Sequence, residues 1–149
     1  MPEKQYTLAK KIARLKPELN NQAIKKMSDN LNKFKSLTLD NGIENTRHEE
    51  LKKDLQIDTY FCDPYSSWQK GGVEQANKLI RKFVPKGSDI ANYSDKYIEN
   101  VCKRLNNTPK KSLGCKTPKE IMIENNLLKV EEPTMFQLEA IKKPLKRCT

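Results

Sequence analysis

Residues 37–45 read LTLDNGIEN. Leu37, Thr38 and Leu39 have strand character, and they lead straight into Asp40 and the turn-forming pair Asn41-Gly42. A carboxylate at the end of a buried strand costs desolvation unless something offsets it, and a bound cation is one such offset. The bland alternative is that Asp40 is simply the residue that opens an Asn-Gly turn.

Working outward in both directions, the pattern alternates between strand and helix. Residues 5–12 (QYTLAKKI) predict a strand. Pro17 and Asn20-Asn21 open a helix in which Ala23, Ile24, Met27, Leu31 and Phe34 recur at helical spacing. After the short strand 37–40 comes a helix over about 46–55, with Leu51 and Leu55 facing inward, and then a strand over 57–62. DPYSSWQKGG (63–72) is a loop by its Pro, Ser and Gly content. Helical spacing resumes at Val73, with Val73, Ala76, Ile80 and Phe83 as the apolar stripe, and again from about Ser94, with Tyr97, Ile98, Val101, Cys102 and Leu105. Thr117-Pro118-Lys119-Glu120 spells a capping box with proline in the first turn. Beyond about Asn126 the periodicity fades, and Pro133 and Pro144 interrupt it. This order predicts an α/β fold with part of its sheet parallel, whose sites gather at the carboxyl ends of strands. Asp40 stands at such an end.

Glu74 opens the helix after the loop. Asn77, Lys78 and Arg81 follow it on the same helical face, opposite the apolar stripe. Two acids on separate elements with bases beside them suit metal-assisted phosphoryl transfer, the acids holding divalent ions and the bases clamping phosphates. Each residue also has a plainer reading. A lone Glu in a first turn complements the helix dipole, and lysines and arginines commonly form a solvated face.

The bulk numbers narrow the partner. The chain has 149 residues, a formal charge of +10 and a pI of about 9.4, which favours a polyanion, nucleic acid above all. A membrane surface is not expected, because there is no 18-residue apolar run and the N-terminus does not read as a signal peptide. Cys62, Cys102, Cys115 and Cys148 are widely spaced, with no C-x-x-C and only His48 to assist, so reduced thiols are expected rather than structural zinc. Any metal would be held by oxygen, which points to magnesium or manganese.

TLDNGIE, YFCDPYSSWQKGGVEQANKLIRKFVPKGSDI and LNNTPKKSLGCKTPKE together resemble the catalytic core of bacterial insertion-sequence DDE transposases, in the retroviral-integrase superfamily. The resemblance runs from about Tyr6 to Met122. It is to the branch with 33 residues between its second and third acids, the number here at positions 41–73. It implies an RNase H-like integrase core, a mixed sheet with flanking helices lacking the first strands, and DNA strand transfer with two Mg2+ (or Mn2+) ions. Asp40 takes the second-acid position and Glu74 the third, as catalytic metal ligands. Arg81 falls on the basic position near the DNA end and Asn77 on a family amide, while Lys78 replaces the usual glycine. Lys70 and Trp68, in the loop before the helix, complete the expected DNA-binding set, although Trp68 reads somewhat better as an anchor of the core or loop than as a stack for a base. His48 matches a family histidine and reads as structural.

The departure lies at the first acid, which the family carries on its first strand. Before Asp40 the only acids are Glu3, Glu18 and Asp29, and none is placed to substitute. The helix-turn-helix region that reads terminal repeats is not seen either. The expected division is therefore a partial core over 1–125 and a divergent tail over 126–149. Loss of one ligand should cost at least the ~10–100-fold that losing a ligand's supporting hydrogen bond costs, so the chain is expected to be inactive alone, with an open sheet edge prone to association. DNA, in the form of transposon ends and target, is the expected partner, together with a second copy or an intact transposase, in a bacterial cytoplasm at the nucleoid. The alternative is a non-catalytic DNA-binding remnant or regulator of an intact transposase. A nuclease of RNase H type is a weaker third reading, because fold alone does not license it.

Overall fold

The apolar runs on either side of the Asn-Gly turn form strands that pair in parallel: β1 (Ser36–Leu39) and β2 (Asp58–Phe61), with Ser36 opposite Asp58 and Leu39 opposite Phe61. The computed structural model describes residues 6–32, 35–64 and 71–129. Around the strands lie α1 (Pro17–Ser28), α2 (His48–Leu55), α3 (Gly71–Ile80), α4 (Asp95–Asn106) and α5 (Pro118–Glu124), with short 3-10 turns at Ile43–Asn45, Ile90–Asn92 and Lys111–Leu113.

Local chemistry explains most of these boundaries. Pro17 sits at the start of α1, where its missing N–H costs nothing, and Glu18 in the first turn and Lys25 and Lys26 in the last complement the helix dipole. α2 ends at Gln56, which adopts the left-handed conformation (φ 52°) and turns the chain into β2. Ser94 caps α4 by accepting from the Tyr97 N–H. Thr117 accepts from the Glu120 N–H while the Glu120 carboxylate accepts from the Thr117 N–H, so the capping box read from the sequence is present.

The α2 crossover between the parallel strands packs against α1, and Leu51 is enclosed completely at 0% exposure. Leu39, Ile57, Cys62 and Ala23 are buried on this side, and Val101 and Cys102 of α4, Leu113 and Val84 elsewhere. Cys62 and Cys102 are buried and Cys115 is exposed. Burial pushes the Cys102 thiol up from its ordinary pKa.

Three expectations need correction. Residues 6–12 form no strand. A strand needs a neighbour offering a row of N–H and C=O groups, and here Thr7 is served by one side chain instead. The Thr7 N–H donates to Asn106 Oδ1 (2.7 Å), and Asn106 Nδ2 donates back to the Thr7 carbonyl (2.7 Å). Asn106 is 3% exposed, so this pair is a sealed link between the first segment and the end of α4. Second, α1 stops at Ser28, so Leu31 is not part of its stripe. Leu31 bridges Leu128 in antiparallel fashion, and residues 127–129 bond back to 30–32 through Asn32 N–H to Leu127 O and Lys129 N–H to Asn30 O (2.9 Å each). Phe34 lies outside the described residues. Third, the α3 stripe does not pack as a unit: Val73 is 57% exposed and none of the helix's residues is buried.

Candidate functional site

β1 delivers Asp40 to the carboxyl end of the sheet, one residue past Leu39, and the ladder continues there through the Cys62 N–H donating to the Leu39 carbonyl (2.9 Å). Asn41 Nδ2 donates to the Cys62 carbonyl (3.0 Å), tying the turn after β1 to the chain leaving β2. Thus the Asn-Gly break does more than reverse direction; its asparagine joins the carboxyl ends of both strands. The side chain of Asp40 is exposed to solvent.

Behind Asp40 stands a polar cluster. Asn45 is 6% exposed, and its Nδ2 donates to both Asp40 Oδ1 (2.7 Å) and the Asp40 carbonyl (3.0 Å). Its Oδ1 accepts from Asn20 Nδ2 (3.0 Å), which also donates to the Glu44 carbonyl (3.2 Å). Asn21 Nδ2 donates to the Arg47 carbonyl (3.0 Å). The asparagines read from the sequence as helix openers therefore face inward and hold the turn carrying Asp40. The His48 Nδ1 lies 3.3 Å from the Asn45 carbonyl, and its ring stands edge-on to Phe61 with centroids 4.7 Å apart. Arg47 pairs with Glu18 and Glu50 on the surface of this cluster. Glu18 is held below the ordinary carboxylate range, first by the backbone N–H at its own place in the first turn of α1 and then by Arg47.

The other acid rides on α3. Glu74 lies in its first turn, and Glu74, Asn77 and Lys78 are all exposed, as is Arg81, whose N–H extends the helical bonding to the Asn77 carbonyl (2.9 Å). The polar face read from the sequence is thus a solvent-facing one. α3 packs against α4, and just beyond its C-terminal end Tyr97 Oη donates to the Phe83 carbonyl (3.1 Å) and the Arg104 guanidinium lies 5.5 Å from the Phe83 ring centroid. Trp68 and Lys70 lie outside the described residues. Among the described residues no three His, Cys, Asp or Glu side chains gather as a metal cage. Asn45 and Asn20 were not legible as site residues; the only signal was an asparagine five positions after the acid.

Comparison with known proteins gives transposases of insertion sequences among the relatives. The transposase for insertion sequence element IS4351 of Bacteroides fragilis is 45% identical over 89 residues, 60% of this chain and 27% of that protein. Transposase InsI for insertion sequence element IS30A of Escherichia coli (strain K12) is 47% identical over 88 residues, 59% of this chain and 23% of that protein. A probable transposase for the insertion-like sequence element IS1161 of Streptococcus salivarius is 34% identical over 116 residues, 78% of this chain and 33% of that protein. The chain spans about a quarter to a third of the length of these curated relatives. Among solved structures, the catalytic core domain of BIV integrase superposes with a TM-score of 0.66 over 83% of this chain and 82% of that one, at 22% identity. No family model matches the chain. The resemblance read from the sequence is borne out by the relatives, and the RNase H-like integrase-core fold by the structural neighbour.

Proposed function

We propose that this chain is part of a transposase core that cuts and joins DNA ends, with Asp40 and Glu74 as two of its metal-holding acids. The observation that carries the reading is Asp40, set at the carboxyl end of a parallel strand with its carboxylate anchored by a buried amide. Two exposed carboxylates are hard oxygen donors of the kind Mg2+ or Mn2+ takes, so the donor set fits that metal. When bound, a pair of such ions activates the attacking oxygen and stabilises the leaving one. The chain's own part is to hold the acids, while Asn77, Lys78 and Arg81 on the exposed face of α3, with Lys70 before it, grip the DNA backbone and Trp68 stacks on a base or anchors the loop. A formal charge of +10 suits that grip and a place at the nucleoid.

This reading assigns the first-acid position to no residue before Asp40, and on it the chain alone binds DNA without joining it; a regulator of intact transposase is the second reading. Filter binding across a salt series should give log affinity falling steeply with log salt, and Arg81→Ala should flatten the slope by about 1. A flat slope for the unaltered chain removes the DNA reading. In a longer transposase that carries this core, Asp40→Asn and Glu74→Gln should each reduce strand transfer by at least ~10–100-fold while DNA binding persists. Transfer that survives either change overturns the metal-ligand assignment.

A further inference from the structure

We infer that Asn45 is a positioning residue for the Asp40 carboxylate, locking it in the one rotamer that presents it to a divalent cation. The inference rests on the proposed reading of Asp40 as a metal ligand and adds a residue that the reading did not contain. Asn45 Nδ2 donates to the carboxylate and to the carbonyl of the same residue, at 2.7 and 3.0 Å. Bonding both groups at once closes a small ring across the Asp40 Cα–Cβ bond, and rotation about that bond would break it. An asparagine that served only the turn would need the main-chain bond alone.

The donor is itself fixed. Asn45 is 6% exposed, its Oδ1 is taken by Asn20 Nδ2, and its backbone N–H donates to the Gly42 carbonyl (3.1 Å). The amide cannot swing away without uncovering buried polar groups. The path of support therefore runs from α1 through Asn20 and Asn45 to an acid on the far side of the turn. Ligating carboxylates are commonly oriented by such partners, and removing one typically costs ~10–100-fold in metal affinity.

The test uses the 149-residue chain and two NMR readouts: the Hα–Hβ couplings of Asp40, which report its rotamer, and the broadening of Asp40 by added Mn2+, which reports affinity. The unmodified chain should show one rotamer. Asn45→Ala should give averaged couplings and weaken Mn2+ binding ~10–100-fold. Asn21→Ala removes a bond from α1 to the Arg47 carbonyl, not to Asp40, and should leave both readouts in place. Unchanged couplings in Asn45→Ala, or an equal loss in Asn21→Ala, overturns the inference. If Asn45→Ala does not fold, Asn20→Ala, which frees the Asn45 amide from its anchor, should shift both readouts in the same direction, and no shift overturns the inference. Asp40→Asn separates the two levels. If it loses Mn2+ while Asn45→Ala keeps it, only the positioning role fails. If Asp40→Asn binds Mn2+ as before, or the unmodified chain shows no broadening at Asp40, the metal reading fails and the inference with it.

Discussion

The supports beneath the two acids differ in kind. Asp40 leaves a strand whose helical crossover buries Leu51 completely, and its carboxylate is bonded by an amide that α1 holds in turn. Glu74 stands on a helix that buries none of its residues and is held near its C-terminal end through Phe83, Tyr97 and Arg104. The lesson is that one acid's carboxylate is bonded by a buried amide, while the other stands on a helix packed against α4 with contacts just past its C-terminal end. Substitutions in the first region should disturb stability and Asp40 together. Those at the contacts just past α3 should move that helix with little effect on the rest.

The largest effect is expected at Leu51. Leu51→Ala should cost about 2–5 kcal/mol in urea unfolding, through lost burial and the cavity left behind; a cost under ~1 kcal/mol would mean the α1–α2 side is not the stable one. Next comes Tyr97→Phe, which deletes one hydrogen bond and should cost about 0.5–1.5 kcal/mol. Its signature is faster hydrogen exchange in α3 with the turn at Ile43–Asn45 unaffected, and exchange that rises equally in both regions would erase the contrast. The smallest concerns pH. The folded chain lowers the Glu18 pKa, so the stabilisation is present above the ordinary Glu value and is lost as pH falls through the lowered folded one. An NMR titration should place the Glu18 midpoint below the ordinary value. Arg47→Ala should raise it only part of the way, because the backbone N–H is the larger cause; a full return would make Arg47 the dominant partner.

Much of the fold was legible because it is written over a few residues at a time. The capping box at Thr117–Glu120 and the start of α4 at about Ser94 depend on partners within one turn, and the short strand ends where Asn-Gly breaks it. The placement of Asp40 at a strand's carboxyl end follows from the same short run. The strand expected over residues 6–12 was not so determined, since its alternation describes a segment that could pair, and pairing requires a neighbour. The stripe assigned to α3 likewise described what could be buried, not what is.

Amino-acid order by itself thus settled the locally capped helix starts, the charge that calls for an anionic partner, and the likeness to transposase cores. Tertiary structure alone decided that Asn106 answers Thr7 across 99 positions, that 127–129 return to 30–32, and that Asn45 grips Asp40 with Asn20 behind it. The reason is that a helix cap finds its partner within the same turn of chain, whereas a buried side-chain amide can bond any donor or acceptor that packing brings near. Which one it meets is chosen only when the elements come together.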